Sequence, residues 1–473
     1  MKQQIDFSCN GKTYDVLLQP TDWRYSAAVV GLVKFFVEEG IDYLVLDNLD
    51  DKPQGYIKGY DGIIYNQSDI TEEAFFNFAE SYFFDYMTHI TLEELLKAAE
   101  FDKDSIKEIN DLAKSKTVLK NVFGKTKFDG TNANEFLDLI EENRLEIIKS
   151  IFRYGKNMYA DYCNSNLLST QVNKHCRLVG YTVDEGRKGK SLGFCFDKNS
   201  FVGNDIPEFD FIPFAFSNPS MYETYFVNNN YSVRTLVETN RDMQRRLEDI
   251  DGNDAKNKLL TVLKNAKDFI DYDVEIISKN RDEEQYKTLF VRAERLKYLQ
   301  KLQNTKLKFT YKINDGYYFN LDNEVYEKCL NNELLDDTIL FIMKATFKDE
   351  NVEGYVSYVV DKLTNINLNW KGLDKVLEQD IKMARAAGHN TAKKLRDMKA
   401  ENKIVSFQQK IISSLNAHDY DRVKEIILKL SAYSQVEYGF FYKFLENAEE
   451  YKDLAFAFAS ALKLIENKDD TEE

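Results

Sequence analysis

The chain has 473 residues, 43% of them hydrophobic and 30% charged, and its 63 basic against 79 acidic side chains leave a net charge of −16. That length exceeds what a single hydrophobic core serves, so two or three domains are expected. The negative balance excludes indiscriminate binding of nucleic acid by the whole surface, and any polyanion site must be a local patch.

Residues 3–18 alternate around Gly11, with Ile5, Phe7, Tyr14, Val16 and Leu18 set for a hairpin or bent strand. The stretch 21–40, TDWRYSAAVVGLVKFFVEEG, predicts a helix that the rest of the chain wraps. Thr21 or Asp22 caps its start, Gly40 supplies a left-handed stop, and the apolar run from Trp23 to Val37 leaves almost no polar face. Residues 43–46 and 55–65 read as further strands, which gives a small mixed sheet packed on that helix. From Thr71 the pattern turns helical, and Phe75, Phe76, Phe78, Tyr82, Phe83 and Tyr86 make an aromatic stripe read as core. Helices are expected over 91–100, 104–115 and 132–168.

The character changes at Arg153. Between 153 and 198 there are eight basic and four acidic residues, 8 − 4 = +4, and three of the five cysteines. Cys163, His175, Cys176 and Cys195 invite a zinc test, but no Cys-x-x-Cys pair exists, so they read as isolated buried thiols with no metal or other cofactor. An odd, scattered set of cysteines, an N-terminus without the apolar core of a signal peptide and no run of roughly 20 apolar residues together predict a cytoplasmic protein. The run 185–191, EGRKGKS, fails as a phosphate-binding loop because Asp184 stands where that motif needs glycine. It fits a flexible basic loop, in which Arg187, Lys188 and Lys190 can meet phosphate or, for arginine, a guanine edge.

Residues 201–240 read as aromatic and loop-like, with turns at Pro207, Pro213 and Pro219. Asn228, Asn229 and Asn230 form another turn, with side chains able to hydrogen-bond bases or backbone. Charged helices are expected over 241–303, a hairpin over 306–320 and helix over 322–365. Beyond Trp370 helices are expected over 371–385, 390–416, 419–434, 438–447 and 449–466, in an antiparallel bundle with an acidic tail. Residues 371–430 hold thirteen basic and eight acidic side chains, 13 − 8 = +5, a second positive island. Within it Lys393, Lys394, Arg396, Lys399 and Lys403 make a stripe suited to the backbone of a single strand or a duplex. The fold class is α+β: a mixed α/β N-terminal domain over 1–365, with the basic, cysteine-bearing segment inserted at about 153–240, then an all-α bundle over 366–473. The four histidines, His89, His175, His389 and His418, are scattered, and with no clustered carboxylates no enzyme site is predicted.

Three features together carry a family likeness: the DW-x-x-x-A-x-x-VGLVKFF helix, a cysteine-bearing middle followed by FIPFAF at 211–216, and the helical C-terminal quarter. This layout resembles the large subunit of the subtype I-B CRISPR Cascade surveillance complex. Related members carry paired cysteines in the middle, whereas here Cys163, Cys176 and Cys195 stand unpaired. The resemblance implies a non-catalytic DNA-binding subunit that recognises the protospacer-adjacent motif, promotes R-loop formation and docks a helicase-nuclease. It implies as partners the crRNA, the backbone, crRNA 5'-handle-binding and small subunits, target double-stranded DNA and the displaced strand, with no membrane. On this reading the basic loop and the asparagine turn contact the motif-bearing duplex and the C-terminal stripe holds the displaced strand. The bundle resembles the small subunit, and an internal start at Met343 would free it as a separate product. Two other readings stay open: a metal-dependent nuclease of a defence system with Cys163, His175 and Cys176 at the metal, and a structural helical scaffold in which both islands are incidental.

Overall fold

The computed structural model describes residues 1–98, 100–165, 176–180, 205–217, 222–249, 270–280, 285–294, 310–314, 317–345 and 353–463, with single positions or pairs between them. They divide into two compact units, Met1–Ala293 and Glu294–Glu473. Each has its own architecture, and the whole is α+β as expected.

In the first unit β1 (Lys2–Cys9) and β2 (Lys12–Leu18) form a hairpin about Asn10 and Gly11. Both turn residues adopt positive φ, the geometry a two-residue hairpin turn demands. With β3 (Leu44–Val45) and β4 (Ile63–Tyr65) they make an antiparallel sheet of order β1-β2-β4-β3, Val16 opposite Tyr65 and Leu18 opposite Ile63.

The expected central helix is α1 (Trp23–Glu38). Asp22 caps it by accepting from the Arg24 N–H, and Gly40 turns the chain away at φ +65°. Twelve of its sixteen residues are buried, so it needs cover on every side. Val37, counted with the apolar run, faces outward.

Much of that cover comes from a segment the sequence reads as loop-like. Pro207–Phe214 is a 3-10 turn threaded along α1 and buried from Glu208 onward, with Pro207 at its first turn, where a missing N–H costs nothing. Phe214 stacks on Phe152 at 5.4 Å and lies 4.7 Å from Phe78 and 5.3 Å from both Tyr82 and Phe83, which closes the aromatic core. Lys34 on α1 donates to the Phe214 carbonyl (2.7 Å) and the Tyr82 hydroxyl (2.9 Å) and so pins three elements together.

Around this core run α2 (Glu72–Tyr82), α3 (Thr88–Leu96), α4 (Lys103–Leu112) and α5 (Thr117–Phe123). The single helix expected over 132–168 is instead three: α6 (Ala133–Glu142), α7 (Arg144–Tyr154) and α8 (Tyr159–Tyr162). Asn143 breaks the first pair by bonding its side chain back to the Leu139 carbonyl, and Asn157 at φ +53° breaks the second. Beyond the 3-10 turn come β5 (Glu223–Asn228) and α9 (Val233–Glu248). The helices expected over 241–303 are corrected in part, because β6 (Val274–Asn280) and β7 (Tyr286–Val291) are strands in a sheet of order β5-β6-β7. Burial of Val274, Ile276 and Ile277 outweighs the charged composition around them.

In the second unit the expected hairpin is β8 (Thr310–Asn314) and β9 (Tyr317–Asn320), followed by α10 (Leu321–Leu330), α11 (Asp336–Ala345) and α12 (Glu353–Trp370). Met343 lies buried within α11, and residues 365 and 366 lie inside α12. The bundle continues through α13 (Asp374–Asp397), α14 (Glu401–Asn416), α15 (Tyr420–Ser434), α16 (Phe441–Glu446) and α17 (Lys452–Ala461). α13 runs unbroken through 386–389, where a break was expected. Gly388 there is a packing residue: a β-carbon on it would lie 2.6 Å from the Phe458 carbonyl oxygen, so only glycine lets α17 approach this closely. Asp453, fully buried on α17, is tied to Lys371 (2.6 Å) and Asn367 (3.2 Å). Among the described residues no helix is long and apolar enough to cross a membrane.

Candidate nucleic-acid interface

Of the residues singled out from sequence, Arg187, Lys188 and Lys190 lie outside the described residues. The asparagine turn is described, and its side chains are engaged within the fold. Asn229 accepts from the backbone N–H groups of Tyr231 and Ser232, both at 3.1 Å, and so shapes the approach to α9. Asn228 donates to Glu275 on β6 at 2.8 Å, and Asn230 accepts from Ser26 on α1 at 3.2 Å. Asn228 and Asn229 are 5% exposed. The turn thus fastens α1, β6 and α9, and nucleic acid meeting these amides would have to displace those bonds.

The count that made 153–198 basic includes Arg177, which is wholly buried. Its Nε donates to Asp205 at 2.9 Å, its Nη1 pairs with Asp210, and Tyr159 donates to the same Asp210 at 2.8 Å. Arg177 is therefore an internal counter-ion and no part of a surface patch. Cys163 and Cys176 are buried free thiols beside it, and burial pushes both thiols up. Cys163 leans its Sγ on the Phe209 carbonyl at 3.8 Å. His175 and Cys195 lie outside the described residues, among which no group of three or more His, Cys, Asp or Glu side chains could hold a metal ion.

Apart from Lys375, exposed on the first turn of α13, the second island sorts into two sets. Lys371, Lys382, Arg385, Arg422, Lys424 and Lys429 are held by Asp453, Glu378, Asp361, Glu425, Asp421 and Glu425. Pairing of this kind cancels most of their field, with Glu425 shared between Arg422 and Lys429. Lys393, Lys394, Arg396, Lys399, Lys403 and Lys410 have no ion-pair partner among the described residues. All but the half-buried Arg396 are exposed. They sit on the last turns of α13, on the link 398–400 and on α14. The link is tight because Lys399 takes φ +53° and the Ala400 N–H bonds back to the Leu395 carbonyl at 2.8 Å. Over 390–416 six basic residues face only Asp397 and Glu401, 6 − 2 = +4, in a chain of −16. Of the five stripe residues named from sequence, Lys393, Lys394 and Arg396 lie on the last turns of α13, Lys399 on the link and Lys403 on α14, and Lys410 follows two turns further along α14; the sequence signal for Lys410 was the lack of any carboxylate after Glu401 on α14. Unneutralised cations this dense suit phosphates and offer no chemistry for bond cleavage.

No match was found among curated proteins or among solved structures. A family model described as CRISPR-associated protein Csx8 matches residues 14–253 and 243–462. Those two stretches take in α1, the asparagine turn and the α13–α14 stripe, and with nearly the whole length matched the chain belongs to the CRISPR-associated protein Csx8 family.

Proposed function

We propose that the chain is the non-catalytic, DNA-binding large subunit of a type I CRISPR effector complex with the layout of subtype I-B. The observation that carries this reading is the unpaired basic stripe on α13 and α14 in a chain of a CRISPR-associated family. In an RNA-guided complex the guide reads sequence by base pairing, so the protein is left with gripping backbones and recognising one short duplex motif. A stripe of lysines and arginine without a base-reading code suits the gripping of backbones. There Lys393, Lys394, Arg396 and Lys399 hold the displaced strand and keep it from re-annealing. Recognition of the duplex motif falls to Arg187, Lys188 and Lys190, together with the turn Asn228–Asn229–Asn230, whose amides would exchange their present bonds for contacts to the duplex. Opening the target and docking a helicase-nuclease follow from the same position beside the opened duplex. The partners are the crRNA, the backbone, 5'-handle-binding and small subunits, and target DNA.

Co-expression with a crRNA and the neighbouring CRISPR subunits tests the assignment. Stoichiometric co-purification with the crRNA-bound backbone, and no cleavage of target DNA by the chain itself with Mg²⁺ or Mn²⁺, are expected. A chain that purifies alone from that co-expression, or that cuts DNA, contradicts it.

A further inference from the structure

The basic surface continues past the stripe in a chemically different form. After Glu401, α14 reads NKIVSFQQKIISSLN with no carboxylate. Its buried side is Ile404, Ile411, Ile412 and Leu415. At 3.6 residues per turn Lys403 and Lys410 lie on the opposite side, and Phe407 sits on the flank between them. Phe407 is half-buried, and the Lys410 ammonium stands 5.7 Å from its ring centre. Lys403 and Lys410 are seven positions apart, about 10 Å along the helix axis at 1.5 Å per residue. That matches about three nucleotides at the 3.4 Å rise of one strand. Two phosphate-seeking cations therefore bracket one aromatic ring at nucleotide spacing. A duplex offers phosphates to such a surface but keeps its bases stacked on each other, whereas an unpaired strand offers both phosphates and a free base face.

We propose that the α14 surface centred on Phe407 is a stacking platform for a base of single-stranded DNA, with Lys403 and Lys410 on the flanking phosphates. The platform rests on the strand-holding role proposed above and names its occupant as an unpaired strand and not a duplex. Phe407 selects for an exposed base, while Lys393, Lys394 and Arg396 supply the sequence-independent grip.

Fluorescence anisotropy on the full chain tests this with three probes of about 20 nucleotides, longer than the site sizes of known single-strand modules: oligothymidine, an abasic strand of the same backbone, and a duplex. Wild type should bind oligothymidine about tenfold more tightly than the abasic strand, the scale of one stacked base. Phe407→Leu should erase that difference without changing the salt slope, and Phe407→Tyr should keep it. Lys403→Ala with Lys410→Ala should weaken both single-stranded probes and lower the slope by about 1.4. Equal affinity of wild type for the thymidine and abasic strands, a Phe407→Leu chain that keeps the preference, or a Phe407→Leu change that weakens duplex binding as much as oligothymidine binding overturns the platform. If in those cases charge reversal at Lys393, Lys394 and Arg396 still abolishes strand binding, the strand-holding role stands without it. If charge reversal changes nothing, that role falls and the platform with it.

Discussion

The backbone of Gly31 on α1 rests directly on the main chain of Phe211 in the 3-10 turn, so closely that a β-carbon at Gly31 would lie 2.8 Å from the Phe211 carbonyl carbon. The obstacle is backbone clamped between two elements and cannot rotate away as a side chain would. Gly31→Ala should therefore destabilise the first unit by about 1–3 kcal/mol through overpacking. Trp23 reports on that unit, because it lies in the same helix, 4.7 Å from the Tyr286 ring. With Trp370→Phe as background, a lower urea midpoint of Trp23 fluorescence is the expected result. An unchanged midpoint would mean that α1 and the turn can separate without cost.

Arg177 neutralises Asp205 and Asp210 inside the first unit, and its removal would leave two buried carboxylates without this shared counter-ion. Arg177→Ala should cost about 3–5 kcal/mol. Arg177→Lys should rescue little, since an ammonium cannot span both carboxylates as the guanidinium fork does. The same Trp23 melt measures both variants, and wild-type stability in Arg177→Ala would show that solvent or another cation replaces the side chain.

Asp22 gives the fold a defined acid limb. Burial alone would raise its carboxyl, but the Arg24 guanidinium and backbone N–H hold it below the ordinary value. A carboxylate with a depressed folded pKa contributes fully above its unfolded value near pH 4 and loses that contribution as pH falls through the folded value. Asn caps a helix about as well as Asp. Asp22→Asn should thus be less stable than wild type at pH 7, and the gap should close between about pH 4 and pH 2. Parallel pH profiles for the two proteins would rule out the Arg24 pairing as a source of stability.

Helix α1 was legible because its signals are local: Asp22 at the cap, Gly40 at the stop and apolar residues between. The 3-10 turn was not, since Pro207 and Pro213 read as punctuation while burial against α1 decides their conformation. Strands β6 and β7 were hidden by Lys, Glu and Asp around VEII, and what makes them strands is pairing to the distant β5. Arg177 counted as surface charge because its partners lie 28 and 33 residues further on. The stripe was legible as cations close together in sequence, Lys393, Lys394, Arg396 and Lys399. Which neighbours are neutralised was legible only for pairs such as Lys382 with Glu378, four residues apart, and not for Arg385 with Asp361 on another helix.

The basic loop carries its own prediction. Arg187→Ala with Lys188→Ala should weaken binding of motif-bearing duplex by the assembled complex and lower the salt slope by about 2, one for each lost phosphate contact. Binding to a duplex without the motif should change less than binding to one with it if Arg187 reads a base edge. Unchanged affinity and slope would remove both residues from the interface.

The proposed function stands or falls on whether the unpaired cations of α13 grip the displaced strand in a CRISPR effector complex. The R-loop lifetime of the assembled complex carrying Lys393→Glu, Lys394→Glu and Arg396→Glu decides it. Normal crRNA assembly is expected, with a lifetime at least tenfold shorter, equivalent to about 1.4 kcal/mol, and partial recovery at low salt. A charge-reversed complex whose R-loops last as long as those of wild type would contradict it.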